Sequence, residues 1–137
     1  MPKKPRSSKL TRKEQRDLDV EIGFLEGVVQ RDPKYVEALQ VLGDNYTRRG
    51  KFTDGMQIDE RLSKLLPNDP TVLYNLACSY SLTKRVEQAA STLARALDRG
   101  YKDFKWLLKD PDLQNLRDHE LFEQIRTRIR SNRVKIQ

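Results

Sequence analysis

The sequence repeats itself at an offset of 34 residues, and this period constrains the fold more than any other feature. The matched pairs are Leu39 and Leu73, Leu42 and Leu76, Gly43 and Ala77, Tyr46 and Tyr80, Phe52 and Val86, and Gly55 and Ala89. Within each copy, apolar residues recur three and four positions apart, which is the spacing of a helix that buries one face. A period of this length indicates stacked helical units.

Small residues predict that each copy folds as a helical hairpin. Gly43 with Gly55 in the first copy, and Ala77 with Ala89 in the second, would let two antiparallel helices approach closely. Turn residues lie between the apolar segments. The predicted helix starts are Asp32-Pro33 and Asp69-Pro70, and the predicted helix ends are Gly50 and Gly100.

The repeat resembles the tetratricopeptide repeat in residue type as well as in length. The residues that carry the resemblance are Leu39, Leu42, Gly43, Tyr46, Gly55, Asp59, Leu62 and Pro67, followed by Leu73, Leu76, Ala77, Tyr80, Ala89, Leu93, Ala96 and Tyr101. Asp59, Leu62 and Tyr101 depart from the family pattern. The resemblance implies an all-α fold, a right-handed superhelical stack of antiparallel helix hairpins, or α-solenoid, with capping helices at both ends.

Helical patterns on both sides of the two copies extend the predicted domain. Thr11 and Glu14 form a candidate capping box before an apolar stripe that contains Leu18 and Ile22. After the second copy, Asp110-Pro111 interrupts a helical pattern. The predicted divisions are a basic, disordered tail at 1–11, one domain at 12–131 and a basic tail at 132–137. Within the domain we expect an N-terminal helix at 12–31, repeats at 36–69 and 70–103, and a degenerate repeat or cap at 104–131.

The net charge of +7 is concentrated at the two ends of the chain. Residues 1–16 contain seven Lys or Arg and one Glu, for a net charge of +6. Residues 126–137 contain five Lys or Arg and no acidic residue, for +5, which leaves −4 for the residues between. Two candidate surfaces follow, a mildly acidic repeat body and two basic ends.

The residue types needed for catalysis are nearly absent. His119, the one histidine, has no evident nucleophile beside it and is interpreted as a surface or capping residue. Cys78, the one cysteine, is interpreted as structural, and it excludes an intramolecular disulfide. Phosphate-binding loops and paired metal-ligand motifs are not found. We therefore predict a protein that is not an enzyme, with no cofactor and no metal.

In the tetratricopeptide family, the first helix of each repeat lines a concave groove that binds partner proteins. The positions that the resemblance places on this groove are Glu37, Gln40, Asp44, Thr47, Arg48, Thr71, Tyr74, Asn75, Cys78, Ser81, Leu82, Lys105 and Lys109. Tyr74 is the strongest single candidate, because an aromatic ring with a polar tip is a frequent contact residue. Asp44 argues against a clamp for a C-terminal carboxylate, which it would repel.

The sequence thus predicts an adaptor or scaffold that binds a peptide or helix of another protein in the groove. The alternative is a protein associated with nucleic acid or the ribosome, in which the basic ends make weak, unspecific electrostatic contacts. Self-association through an exposed end of the short stack is a third hypothesis. With no apolar segment of membrane-spanning or signal-peptide length, we expect a cytoplasmic protein without a membrane span.

Overall fold

The computed structural model describes the backbone of residues 9–136 and the side chains of residues 9–133. The described part is all-helical. Its helices are α1 (Arg12–Arg31), α2 (Val36–Arg49), α3 (Phe52–Leu65), α4 (Pro70–Leu82), α5 (Val86–Asp98), α6 (Phe104–Leu107), α7 (Gln114–Arg117) and α8 (Phe122–Ile136). A 3₁₀ turn, Pro111–Leu113, lies between α6 and α7. The helices form a stack of antiparallel hairpins of the tetratricopeptide type, which confirms the predicted fold class.

Capping residues fix several helix ends where the sequence predicts them. Thr11 Oγ1 accepts a hydrogen bond from the Glu14 N–H, and Glu14 Oε1 accepts one from the Thr11 N–H. Asp69 caps α4 by accepting from two backbone N–H groups of its first turn, with Pro70 at the first helical position. Gly50 ends α2 in the left-handed conformation, at φ +84°. These interactions satisfy backbone groups that helix ends leave without partners.

The predicted N-cap at Asp32 is wrong. Asp32 is the C-cap of α1, because its N–H donates to the Val28 carbonyl oxygen. Residues 33 and 34 then form a turn, closed by a hydrogen bond from the Tyr35 N–H to the Asp32 carbonyl oxygen. Tyr35 is the N-cap of α2, without a side-chain cap. The first repeat therefore starts after a turn formed by residues 32–35, and Asp32 does not cap α2.

The two hairpins pack as the small residues predict. A Cβ atom added at Gly55 of α3 would lie 3.6 Å from the Gly43 carbonyl oxygen of α2. In the second hairpin, Ala77 of α4 and Ala89 of α5 are fully buried. Such close approach requires small side chains at the helix crossing.

The C-terminal helix is longer than predicted. Phe122, Ile125 and Ile129 form its buried stripe, and α8 packs against α5. Helical backbone continues to Ile136, so residues 132–136 are part of α8 and not a tail. The stripe anchors the helix, and the helical backbone extends beyond Ile129. The predicted N-terminal tail, apart from residues 9–11, lies outside the described residues, as does Gln137.

Among the described residues, no helix is both long enough and apolar enough to cross a membrane. The predicted cytoplasmic location stays a prediction.

Candidate functional site

The predicted groove face of α2 is largely accessible. Glu37, Gln40, Asp44 and Arg48 are exposed and recur at three- and four-residue spacing along the helix. Thr47 is buried, and its Oγ1 donates to the Gly43 carbonyl oxygen at 3.1 Å. The structure therefore brings four of the five predicted α2 residues to one accessible face, while Thr47 belongs to the helix packing.

The predicted groove face of α4 is mostly covered. Thr71, Asn75 and Leu82 are half-buried. Tyr74, Cys78 and Ser81 are buried, with 4% of Tyr74 exposed. The predictions that these three contact a partner are wrong for this structure, including Tyr74, the strongest candidate.

Residues 101–116 of the chain itself cover α4. Asp110 Oδ2 accepts a hydrogen bond from the Tyr74 hydroxyl at 2.6 Å and lies 3.7 Å from the Cys78 Sγ. The rings of Tyr74 and Tyr101 stack with centroids 4.1 Å apart. The Tyr74 cluster, as we call Tyr74, Cys78, Tyr101 and Asp110, joins this segment to α4.

Two further contacts continue this attachment toward the end of α4. The Leu116 N–H donates to Ser81 Oγ at 3.2 Å, and the Asn115 side-chain amide donates to the Ser81 carbonyl oxygen at 2.9 Å. Burial is the first cause that raises the pKa of Tyr74, and nearby Cys78 and Asp110 raise it further. The Tyr101 pKa is also raised, mainly by burial. Both hydroxyls remain protonated at neutral pH and act as structural groups.

An open cavity of about 260 Å³ remains where α2, α3 and α4 meet. Its lining residues are Gln40, Asp44, Asp59, Leu62, Thr71, Val72 and Asn75. Two side-chain carboxyl groups and two carboxamides line it, together with apolar side chains, and no Lys or Arg is among them. We call this cavity, with the exposed face of α2, the α2–α4 groove. It is the accessible remainder of the groove predicted from the sequence.

Two predicted groove residues lie away from this cavity. Lys105 is on the short helix α6 and Lys109 follows it, and both are exposed. Neither lines the α2–α4 groove. The structure therefore does not bring them together with Gln40 and Asn75.

A second cavity, of about 500 Å³, was not predicted from the sequence. It lies between α1 and α3 above the Leu42 and Tyr46 side chains of α2. The Tyr46 hydroxyl donates to Glu26 Oε2, and 34 residues later the Tyr80 hydroxyl donates to Glu60 Oε2 at 2.8 Å. The sequence holds a signal for this arrangement, since both the tyrosine and the glutamate recur at the repeat offset.

These tyrosines predict a loss of stability at alkaline pH. Burial, with the hydrogen bond to Glu60, raises the pKa of Tyr80 from 10.0 to about 12. The folded chain therefore keeps a proton that the unfolded chain releases above pH 10, so stability falls between about pH 10 and pH 12. We expect Tyr80→Phe to lessen this decline, measured by urea unfolding across that range.

The matched control for this experiment is Tyr35→Phe, because Tyr35 is exposed. All residues other than Tyr80 and Tyr35 are the same in the three proteins, so the difference between their slopes of unfolding free energy against pH isolates Tyr80. Equal slopes of unfolding free energy against pH for the parent chain and Tyr80→Phe would contradict the prediction.

The structure gives His119 a capping role. Its Nδ1 accepts a hydrogen bond from the Leu121 N–H at 3.1 Å. In the part of the chain whose side chains are described, His, Cys, Asp and Glu do not gather into a group of three that could hold a metal ion. The histidine is used to turn the chain into α8.

Several basic residues of α8 contact the fold itself. Arg128 pairs with Asp98 of α5 at 3.4 Å, and the Arg133 guanidinium lies over the Phe104 ring. Arg126 pairs with Glu123 and lies over Phe122. Exposed pairs of this kind contribute little stability, but Arg128 and Arg133 contact neighbouring helices, whereas the partners of Arg126 lie on α8 itself.

The chain is similar in sequence to parts of several longer proteins. No protein-family model matches it. It is 35% identical over 99 residues to a chloroplastic protein of Arabidopsis thaliana, a match that covers 70% of this chain and 28% of that protein. It is 35% identical over 106 residues to the "Peroxisomal targeting signal receptor" of Komagataella phaffii, covering 71% and 18%.

A third relative is the "PEX5-related protein" of Mus musculus, 31% identical over 101 residues, with 74% of this chain and 18% of that protein covered. The chain spans less than a third of the length of each of these three relatives. They contain tetratricopeptide repeats, which supports the resemblance seen in the sequence.

Proposed function

We propose that this protein is an adaptor that binds a peptide or helix of another protein in the α2–α4 groove. The observation that carries the proposal is the open cavity between α2, α3 and α4. It is the part of the predicted groove that remains accessible, because residues 101–116 of the chain cover Tyr74, Cys78 and Ser81 of α4. The receptor name of the Komagataella relative supports binding to a protein rather than catalysis. Concave cavities with a few convergent polar groups are the usual form of a binding site.

Two carboxamides are the central contacts in this proposal. Gln40 of α2 is exposed, Asn75 of α4 is half-buried, and both line the cavity. A carboxamide donates and accepts hydrogen bonds, so it matches the N–H and C=O groups of a peptide backbone whatever the peptide sequence. Leu62 and Val72 supply apolar contact in the same cavity. The groove therefore combines backbone recognition with apolar contact.

The charge of the groove gives a preference among peptides. Asp44 and Asp59 are the ionisable residues that line the cavity. Their carboxyl groups disfavour a segment rich in Asp or Glu, as well as a terminal carboxylate, by like-charge repulsion. The proposed partner segment is neutral or basic.

The test is capture of partners from a lysate of the source organism by the full chain and by the double variant Gln40→Ala, Asn75→Ala. We expect the double variant to capture the groove partner about tenfold less, because losing the hydrogen bonds of two carboxamides removes one or two kcal/mol of binding energy. Quantitative mass spectrometry measures the ratio of partner captured by the full chain to partner captured by the double variant. A photo-crosslinking residue at position 40 should label the same partner.

The control is Gln88→Ala, Gln124→Ala, which removes two exposed carboxamides from α5 and α8. It should capture the partner as the parent chain does. Equal capture by all three proteins would contradict the groove proposal. Capture that disappears in all three at moderate salt would instead favour the electrostatic alternative.

A further inference from the structure

The cavity of about 500 Å³ between α1 and α3 has a buried, mostly apolar floor. Val29, Leu42, Tyr46 and Ile58 form this floor. Ligand-binding cavities usually have volumes of roughly 300–1,000 Å³. We call it the α1–α3 cavity, and it shares no lining residue with the α2–α4 groove.

Two carboxyl groups lie near Tyr46 at one end of the α1–α3 cavity. Glu26 comes from α1 and Asp54 from the first turn of α3, and both residues are exposed. The Tyr46 hydroxyl donates to Glu26 Oε2. Burial raises the pKa of Tyr46, the hydrogen bond to Glu26 raises it further, and so do the charges of Glu26 and Asp54. Both carboxylates therefore act on the same point of the floor.

Two carboxamides extend this set of hydrogen-bond acceptors. Gln30 lies one turn after Glu26 on α1, and Gln57 lies about one turn after Asp54 on α3. Both glutamines line the cavity and are exposed. The two facing helices thus offer carboxylate and carboxamide oxygens above an apolar floor.

Basic residues between α2 and α3 offset only part of this negative charge. Arg49 Nε donates to Asp19 Oδ1 of α1 at 2.8 Å. This hydrogen bond is the main cause that lowers the pKa of Asp19, and the charge of Lys51 lowers it as well. With Glu26 and Asp54, three carboxylates and two cations leave a net charge of −1 at this end.

The other end of the cavity has a basic residue among its described lining residues. Arg61 lies seven residues after Asp54, which is two helical turns or about 10 Å along α3. Its Nη2 donates to the Pro33 carbonyl oxygen at 3.1 Å. Arg31 and Lys34, the nearby basic residues in sequence, do not line the cavity. The carboxylates and the Arg61 guanidinium therefore lie at opposite ends.

The equivalent positions one repeat later have a different charge. At the 34-residue offset, Asp54 corresponds to Gln88 and Gln30 corresponds to Lys64. Burial and a hydrogen bond raise the pKa of the equivalent tyrosine, Tyr80, but two arginines oppose the shift. The negative end is therefore particular to the α1–α3 cavity and does not follow from the repeat pattern.

We infer that the α1–α3 cavity binds an arginine side chain of another protein. The guanidinium lies between the Glu26 and Asp54 carboxylates, and its N–H donors match these and the carboxamide oxygens. The three methylene groups pack on the apolar floor. A guanidinium is more weakly hydrated than an ammonium, so this environment favours arginine over lysine. The site does not depend on the function proposed for the α2–α4 groove.

The test uses the full chain and three blocked five-residue peptides of alanine with a central arginine, lysine or citrulline. Citrulline has the shape of the arginine side chain without its charge. In an NMR titration at low salt, we expect the arginine peptide to bind about fivefold more tightly than the citrulline peptide, or more. The lysine peptide should bind more weakly than the arginine peptide. Chemical-shift changes should concentrate on Glu26, Tyr46 and Asp54.

A double variant, Gln30→Lys with Asp54→Gln, introduces the residues of the equivalent positions one repeat later. Both residues are exposed, so the variant should remain folded. It should bind the arginine peptide about fivefold more weakly, or less, because one carboxylate is lost and a cation is added.

The matched control is Asp17→Gln with Gln124→Lys, which makes the same change in charge at two exposed positions outside the cavity. It should bind the arginine peptide as the parent chain does. The comparison of the two double variants therefore separates the local effect of the cavity from the total charge of the protein.

Four results would overturn the inference. The first is no binding of the arginine peptide, and the second is equal binding of the arginine and citrulline peptides. The third is equal binding of the arginine peptide by the two double variants, which would place it outside the cavity. The fourth is binding of the lysine peptide as tight as that of the arginine peptide, because the cavity would then not select a guanidinium.

Discussion

Replacing Asp110 with alanine is expected to lower the free energy of unfolding by about 4 kcal/mol. Asp110 is 1% exposed, and its carboxyl oxygens accept from the Tyr74 hydroxyl and from the Asp112 N–H. The alanine variant leaves both donors buried without an acceptor, at about 1–3 kcal/mol each, and also leaves a small void. Urea unfolding followed by circular dichroism measures the loss.

Two variants calibrate this result. Tyr74→Phe removes one hydrogen bond from the same cluster and should cost about 1–2 kcal/mol. Asp118→Ala removes an exposed carboxyl that accepts from the Gln114 side chain at 2.8 Å, and should change stability by less than about 0.5 kcal/mol. A loss for Asp110→Ala no greater than for Asp118→Ala would show that the Tyr74 cluster does not attach the C-terminal segment to α4.

The thiol of Cys78 gives an independent readout of the same cluster. In the intact protein Cys78 is fully buried beside Asp110. Local opening of the covering segment exposes it, and weaker attachment makes opening more frequent. Cys78 should therefore react faster with a thiol reagent in Asp110→Ala than in the parent chain, under conditions where both are folded.

The fold could be predicted because it follows from local signals that recur. Helix type and the caps at Thr11 and Asp69 depend on residues within one or two turns, and the hairpin crossings at Gly43 and Ala77 join helices that follow one another in the chain. The exposed face of α2 could be predicted for the same reason. Its residues are fixed by helical spacing once the buried stripe is known.

The burial of Tyr74 could not be predicted in this way. Its partner Asp110 lies 36 residues away, outside the two copies of the repeat, and the sequence gives Asp110 only a local role before Pro111. A contact between residues so far apart in the sequence depends on how the predicted degenerate repeat, residues 104–131, folds back on α4. The family pattern does not specify that segment, so a residue on the expected groove face became part of the core.

One departure from the repeat pattern, at Asp59, is explained by a side-chain hydrogen bond between neighbouring repeats. Asp59 replaces the expected large or apolar residue, is buried, and accepts a hydrogen bond from Ser79 Oγ of α4 at 2.5 Å. The equivalent pair one repeat earlier is Leu25 and Asn45. Leu25 offers no acceptor, and the buried Asn45 Nδ2 has no hydrogen-bond partner within the described part of the chain. The α1–α2 contact is thus more apolar and less specific than the α3–α4 contact.

Replacing Gly43 with leucine is the second change for which we expect a large effect, a loss of about 3 kcal/mol. A Cβ atom at Gly43 would lie 3.1 Å from Asp59 Oδ1 and 3.3 Å from the Ile58 Cγ2, so a whole leucine side chain must displace α3. The matched variant Gly23→Leu meets nothing within 4 Å and should gain about 0.5–1 kcal/mol from helix propensity. Urea unfolding gives the free energy of unfolding of both variants. Similar free energies for Gly43→Leu and Gly23→Leu would contradict the close α2–α3 crossing.

The same displacement should also affect the proposed partner site. Asp59 and Leu62 of α3 line the α2–α4 groove, and the Asp59 carboxyl is the group nearest to a Cβ atom at position 43. Moving α3 therefore changes the floor of the groove while Gln40 and Asn75 stay in place on α2 and α4. We expect Gly43→Leu to capture the groove partner less well than Gly23→Leu does, at a temperature where both proteins are folded. Equal capture would place the partner on a surface that does not depend on the α2–α3 crossing.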